Sequence, residues 1–419
     1  MAQLSDDCFA FGGDLLSIAA ALAQIEAQVT PQVETETVPL KEARGRILAA
    51  PLLAPRDVPP LDNSAVDGYA VFFDDLAASE ATVLPVAGRT AAGHPLGHAT
   101  KRGEAVRIFT GAPMPDGPDT VLMQEDCSEA DGLVRIPAGI KRGANRRRAG
   151  EDAKAGATVL NPGRRLRPQE LGLAAALGFT SLPVYRRLRV AIFSTGDEVR
   201  DPGEELAKGA IYDANRYVLH ALLSGLGADV SDVGILPDRA VAIREALAAA
   251  ARRHELILTS GGMSTGEEDH VKAAVEALGK LHFWRLAIKP GRPVAMGQIG
   301  GVPFIGLPGN PVSVMVTFLL LARPLVLRLS GAVAVPPPRR FRVTAGFDYK
   351  KRANRCEYVR ARLVRGAEGG WVAEKFPRDG AGILTSMIES DGLVEIGEGV
   401  ARVAAGAMVD FLPFSEVIE

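Results

Sequence analysis

The chain has 419 residues, which at about 150 residues per domain sets an expectation of roughly three domains. Its 48 basic and 50 acidic side chains leave a formal net charge of −2, so no bulk field favours nucleic acid or an acidic membrane, and any anion site must be local. A hydrophobic share of 47% excludes general disorder, and three cysteines far apart, Cys8, Cys127 and Cys356, exclude a disulfide framework or a Cys-rich zinc site.

The first basic residue is Lys41, so the start of the chain has neither the positive region of a secretory signal nor an Arg-rich transit face, and the cytoplasm is the expected compartment. Leu15, Ile18, Ala19, Leu22 and Ile25 recur with a helical period, predicting a helix over 14–29 with Asp14 as N-cap. From Val38 to about Gly143 the pattern shifts to short alternating segments broken by Pro and Gly, such as Ala81–Gly88 and Gly103–Phe109, which predicts a β-rich module. The run Arg146–Arg148 with Glu151 and Asp152 reads as a solvated charged face. Helical character returns over Arg167–Leu177, with Gly178 as the stop. The β module is therefore expected as an insertion: a helical domain over 1–54 and 144–186, and an inserted β-rich domain over 55–143.

From Leu188 onward strands alternate with helices. The expected strands are Arg189–Ser194, Asp229–Ile235, Glu255–Ser260, Pro293–Gln298 and Val302–Gly306; the helices are Asn215–Leu226, Arg239–Arg253, Asp269–Leu278 and Val312–Leu329. This order predicts a multidomain α/β chain whose domain over 187–332 is a doubly wound, mainly parallel sheet with ligands bound beyond the carboxyl ends of its strands. Its most apolar stretch, Val312–Ala322, is short of the roughly 20 residues that cross a bilayer and ends at Arg323–Pro324, so it is expected as core, with no membrane role. Three prolines, Pro336–Pro338, mark a stiff linker. Alternating runs at Arg340–Ala345, Glu357–Val364, Trp371–Phe376 and Met408–Phe414 then predict a small antiparallel β-barrel over 333–419.

Chemistry concentrates at the strand ends. The third strand runs into Thr259-Ser260-Gly261-Gly262-Met263-Ser264-Thr265-Gly266 and then Glu267-Glu268-Asp269, where exposed amides at a helix start suit an oxyanion or phosphate. The same run is also a tight strand-to-helix turn with Asp269 as N-cap. A second loop of small residues and carboxylates, Ser194-Thr195-Gly196-Asp197-Glu198, ends the first strand and favours a ligand crevice. Neither is a Walker A or a Rossmann fingerprint. Glu198, Asp238 and Asp269 each follow a strand or open a helix, and as hard oxygen ligands they suit Mg²⁺, although Asp238 and Asp269 also read as plain N-caps. Lys289-Pro290-Gly291-Arg292 places two cations in a rigid turn, a candidate anion clamp. Leu307-Pro308-Gly309-Asn310-Pro311 opens the long apolar helix, and helix geometry alone explains Pro311.

The segment Leu61-Asp62-Asn63-Ser64-Ala65-Val66-Asp67-Gly68-Tyr69-Ala70-Val71 resembles a signature of the molybdopterin molybdenumtransferase family, which includes MoeA and the corresponding domain of gephyrin. The likeness recurs in order at Arg107–Pro113, Arg147–Asp152, Ser194–Glu198, Tyr212–Asn215, Ser260–Asp269, Lys289–Gly291 and Gly306–Pro311. The resemblance implies molybdenum transfer from molybdate to adenylyl-molybdopterin, with Mg²⁺-dependent release of AMP, in molybdenum cofactor biosynthesis. It implies a homodimer with a shared active site, with a molybdopterin adenylyltransferase and recipient molybdoenzymes as candidate partners. Carried over residue by residue, it assigns Asp67, Thr110, Glu198, Asp238 and Asp269 as catalytic, with Glu198, Asp238 and Asp269 as metal ligands. It assigns Asp152, Ser260, Gly261, Gly262, Ser264, Gly266, Lys289, Arg292, Pro308, Pro311 and Arg360 to pterin or anion binding. Two positions depart from the family pattern: Arg285, where Lys is expected, and Ala381, where Ser is expected. The alternatives are a molybdopterin adenylyltransferase and a pterin-binding scaffold without activity.

Overall fold

The computed structural model describes residues 15–261, 270–367 and 369–418, and the chain folds as two units. Pro51–Asn161 and Pro168–Thr180 form one, and the remaining described residues form the other.

The larger unit opens with α1 (Ile18–Gln28). Asp14, the expected N-cap, lies outside the described residues, and the helix is capped by Ser17, whose hydroxyl accepts the Ala20 amide at 3.1 Å. The helix cannot start earlier because Leu16 is held extended: its amide donates to the Arg285 carbonyl at 2.9 Å.

The smaller unit is built on one sheet of β1 (Gly68–Val71), β2 (Thr82–Thr90), β3 (Ala105–Ile108), β4 (Thr120–Met123), β5 (Ser128–Ala130) and β6 (Leu133–Ile136). Their order is β4-β1-β3-β2-β6-β5, and only β2–β3 is parallel. The two-residue period sends Tyr69 and Val71 into one core with Leu84, Leu122 and Ile136, and Ala70 into another with Val106, Ile108 and Val121. Arg146 departs from the solvated face expected of it, because its Nε donates to Asp62 at 2.6 Å. The helix α2 (Pro168–Ala176) belongs to this unit, where Leu173 and Leu177 pack with Ala54 and Ala153.

The α/β part of the larger unit follows the expected alternation: β7 (Arg189–Thr195), α3 (Asn215–Gly225), β8 (Asp229–Leu236), α4 (Ala240–Ala251), β9 (Leu256–Ser260), α5 (His270–Leu278), β10 (Gly279–Arg285), β11 (Pro293–Ile299) and β12 (Val302–Leu307). The strand order is β8-β7-β9-β12-β11-β10. The β7–β8, β7–β9 and β9–β12 pairings are parallel; β11–β12 and β10–β11 are antiparallel, so parallel pairing holds by a narrow margin. Alternate residues of β7 feed cores on opposite faces, Val190 and Ile192 on one and Ala191 and Phe193 on the other, as burial beneath helices on both sides requires.

The closing helix runs as α6 (Pro311–Thr317), a π turn (Phe318–Ala322) and α7 (Arg323–Leu329). It does not stop at Ala322: the π turn resets the hydrogen-bond register just before Pro324, which then sits in the first turn of α7, where its missing N–H is tolerated. The resulting 19 residues are long and apolar enough to cross a bilayer, yet 78% of the most apolar stretch is buried, as in a core helix.

Five strands, β13 (Phe341–Ala345), β14 (Cys356–Arg365), β15 (Trp371–Lys375), β16 (Gly392–Ile396) and β17 (Met408–Pro413), close as β14-β15-β13-β17-β16-β14. The barrel is not wholly antiparallel, because β13 and β15 pair in parallel. An odd number of strands cannot alternate direction all the way round a closed ring, so one parallel pairing is obligatory.

Candidate functional site

In the smaller unit, antiparallel pairing of β1 with β3 sets Gly68 opposite Ile108, which brings Asp67 beside Thr110. The Thr110 amide and hydroxyl both donate to Asp67 Oδ1 at 2.7 Å. These two bonds, the amide first, hold the Asp67 carboxyl below its usual range, with Arg107 adding a favourable charge. Arg107 is itself fixed over the rings of Tyr69 and Phe109, at 4.9 and 5.0 Å. Asp152 is exposed, with its amide on the Val58 carbonyl at 3.0 Å.

In the larger unit, the ladder registers Ser194 of β7 with Ser260 of β9, and Ser260 with Leu307 of β12. The carboxyl ends of three adjacent strands are therefore level, and the segments that follow them share one edge. The chain leaves β7 for β8 on one side and returns to β9 on the other, so this edge holds the switch point at which such sheets bind ligands. Buried hydroxyls of Ser194, Thr195 and Thr259 and the Asn215 Oδ1 have no hydrogen-bond partner among the described residues, an arrangement that suits a polar ligand. Asn215 Nδ2 donates to the Gly309 carbonyl at 2.7 Å, tying α3 to the loop of Pro308 and Pro311. Gly261 donates its amide to Leu307 at 3.2 Å. Gly262, Ser264, Gly266 and Asp269 lie outside the described residues.

Glu198 is exposed and Asp238 half-buried, and neither carboxylate takes a hydrogen bond or ion pair among the described residues. Gly196, at φ +137°, makes room for Glu198: a Cβ there would lie 2.7 Å from its carboxylate. The N-cap of α4 is Arg239, without a side-chain cap bond, so Asp238 is not that helix's cap. Among the described residues no three His, Cys, Asp or Glu side chains cluster as a metal site. The two free carboxylates are hard donors of the kind Mg²⁺ takes together with waters and substrate phosphates.

A cavity of about 240 Å³ forms where the Lys289–Gly291 turn, Ser313 of α6, β14 and the Asp379–Ala381 loop meet. Lys289 is brought there by a two-residue parallel ladder that pairs it with Glu357, and its Nζ lies 3.3 Å from Glu357 Oε2. Glu357 is buried. Burial alone would raise its pKa, but donation from Tyr349 Oη at 2.7 Å and Arg355 Nε at 2.8 Å, together with the Lys289 charge, lowers it on balance. Arg360, 8% exposed, donates from Nε to Ser386 Oγ and from Nη2 to the Gly380 carbonyl, both at 3.0 Å. Its ties are to neutral groups, and burial lowers its pKa despite Asp379 and Tyr349 nearby. A buried guanidinium without a bonded carboxylate, facing a cavity that Lys289, Glu357 and Asp379 also line, has chemistry that suits an anion. Ala381 contributes its backbone, with its carbonyl accepting the Val312 amide at 2.9 Å at the start of α6. Arg285 and Arg292 are exposed and do not line this cavity. A separate groove of about 300 Å³ beside α1 and α7 is mostly aliphatic and offers little polar chemistry.

Glu357, Tyr349, Ser313 and Arg107 were not singled out from the sequence. The available signal was Glu357 and Arg360 among the apolar residues of the strand's first half, Cys356–Ala361, since a strand rarely buries two charges without using them.

The fold and site define a multidomain protein whose α/β domain has the switch point at which sheets of this kind bind ligands, and whose barrel strand β14 helps wall a cavity together with Lys289 and Arg360. The profile for the MoeA N-terminal region (domain I and II) matches residues 16–178, that for a probable molybdopterin binding domain 191–328, and that for the MoeA C-terminal region (domain IV) 342–414. The molybdopterin molybdenumtransferase of Haemophilus influenzae is 38% identical, over 96% of this chain and 100% of its own; molybdopterin molybdenumtransferase 2 of Mycobacterium tuberculosis is 36% identical, over 89% and 93%. The crystal structure of the molybdopterin biosynthesis MoeA protein of Pyrococcus horikoshii superposes with a TM-score of 0.81 at 29% identity, covering 96% of this chain and 100% of that one. The chain belongs to the MoeA family.

Proposed function

We propose that the protein is a molybdopterin molybdenumtransferase that inserts molybdenum during molybdenum cofactor biosynthesis, with adenylyl-molybdopterin and molybdate as substrates. The observation that carries the reading is the anion cavity: Arg360, buried without a bonded carboxylate, and Lys289 face a space of about 240 Å³, which suits a small tetrahedral oxyanion. Full-length relatives named for this activity support it.

The chain's residues divide the work. Lys289 and Arg360 bind and orient molybdate, and the strand edge that ends in Ser260 and Gly261 receives the pterin phosphates, with the unpartnered hydroxyls of Ser194, Thr195 and Thr259 as donors. Asp67, kept ionised by Thr110, is a fixed acceptor for a substrate proton or hydroxyl. Glu198 and Asp238 would hold Mg²⁺, joined by Asp269 as the third ligand of the proposal. The chemistry such an ion would supply is neutralisation of charge on the pyrophosphate, whose P–O bond breaks as a water oxygen bonds to phosphorus, releasing AMP. The working unit of the proposal is a cytoplasmic homodimer with a shared site, receiving its substrate from an adenylyltransferase and passing product to molybdoenzymes. Incubation with adenylyl-molybdopterin, molybdate and Mg²⁺ tests the reading. AMP release that needs all three supports it, whereas AMP-loading of free molybdopterin from ATP would make the protein an adenylyltransferase, and binding without turnover a scaffold.

A further inference from the structure

We infer that Arg216 is a positioning residue that holds Glu198 in place over the carboxyl edge of the sheet; this rests on the reading of Glu198 as a metal-binding carboxylate. Arg216 is the second residue of α3 and is 5% exposed. Its Nε donates to Asp213 at 3.1 Å, its Nη1 to both oxygens of Asp232 at 2.6 Å, and its Nη2 to Asp201. The Asp213 carboxylate also accepts the Arg216 amide at 3.1 Å.

These partners are placed to control one excursion of the chain, residues 196–213. The excursion leaves β7 and returns to α3 through a two-residue parallel ladder, Val199–Arg200 beside Ile211–Tyr212. The Glu198 carbonyl accepts the Ile211 amide at 2.8 Å, and the Arg200 carbonyl accepts the Asp213 amide at 2.9 Å. Asp201 lies three residues beyond Glu198 on the outgoing leg, and Asp213 ends the returning leg. Both legs are therefore fastened to one guanidinium, and Asp232, on β8, fastens that guanidinium to the sheet. Asp201, Asp213 and Asp232 are all committed to Arg216 while Glu198 takes no hydrogen bond or ion pair among the described residues. The cluster thus separates three carboxylates that hold structure from Glu198, which is exposed. An ammonium has three donors on a single nitrogen, so it cannot span partners as far apart as those reached from the Nε, Nη1 and Nη2 of a planar fork.

The test uses Arg216→Lys, alone and with Glu198→Gln, in the full chain. Mn²⁺, as a probe for Mg²⁺, is titrated by electron paramagnetic resonance, hydrogen exchange is followed over 196–213, and molybdate binding serves as a control on the rest of the unit. Arg216→Lys is expected to weaken Mn²⁺ binding by about 10- to 100-fold, to speed exchange over 196–213 and to leave molybdate affinity unchanged. Added to Glu198→Gln it should cost nothing further, because both act through one carboxylate. Equal losses in the two backgrounds, or faster exchange with Mn²⁺ affinity intact, overturn the inference. A Glu198→Gln protein that binds Mn²⁺ like wild type overturns instead the metal reading on which it rests. Asp201→Asn, which cuts a single tie to a half-exposed partner, should move Mn²⁺ binding and exchange in the same direction by less, and it decides the matter if Arg216→Lys does not fold.

Discussion

Lys289 and Arg360 face the same cavity on different terms. Lys289 is half exposed and shares its charge with Glu357, whereas Arg360 is buried and bonded only to a hydroxyl and a carbonyl. Removing Lys289 leaves Glu357 still held by Tyr349 and Arg355, so the fold should survive. Lys289→Ala is expected to weaken molybdate binding by about 1.5–3 kcal/mol, the usual worth of a hydrogen bond to a charged group, with little change in melting temperature. Calorimetric titration checks this, and unchanged affinity would reduce Lys289 to a surface partner of Glu357. Lys289 was legible in the sequence because cations in a Pro-Gly turn stand out. Glu357 was not, because a lone carboxylate in a strand reads as a solvent-facing position until its neighbours are known.

At the scale of elements, the turn that presents Lys289 depends on Gly291. Its φ is +100°, and a Cβ there would lie 2.2 Å from Thr317 Oγ1, so the turn packs against the end of α6 with no room for a side chain. Gly291→Ala should cost about 1–3 kcal/mol of stability and also impair molybdate binding. Gly301, at φ +85° with nothing within 4 Å, shares the backbone strain without the clash. Gly301→Ala should lose stability and keep its ligand affinity. Urea unfolding and titration of both variants separate the effects, and equal molybdate affinity in the two would show that the turn's placement does not matter to the cavity. Period alone predicted most strands and helices of the α/β domain. It missed β10, an edge strand whose Lys280 and His282 break the apolar pattern, and it predicted the Val312–Leu329 helix without the π turn that precedes Pro324.

For the whole molecule, the proposed homodimer makes a prediction that neither unit makes by itself. If each site draws Asp67 from one copy and Glu198 from the other, a mixture of Asp67→Ala and Glu198→Ala chains forms heterodimers with one site free of both substitutions. After verified subunit exchange, AMP release should return to about a quarter of wild type, since about half of the dimers would be mixed and half of their sites intact. No recovery from two properly dimeric, separately inactive variants would place each site within a single chain.

The sequence by itself determined what depends on local order: the alternation that makes a layered α/β domain, the Gly-rich strand ends, the motif around Asp67, and a run of ordered motifs specific enough to suggest the family. These are properties of neighbours in the chain, which fix backbone preference and periodic burial. Only the tertiary structure decided which distant residues meet: Thr110 on Asp67, Asp201 and Asp232 on Arg216, and Lys289, Glu357 and Arg360 around one cavity. Pairing registers and ring closure set those meetings, and a charge acquires its role from what surrounds it after burial, which no single segment of the chain contains.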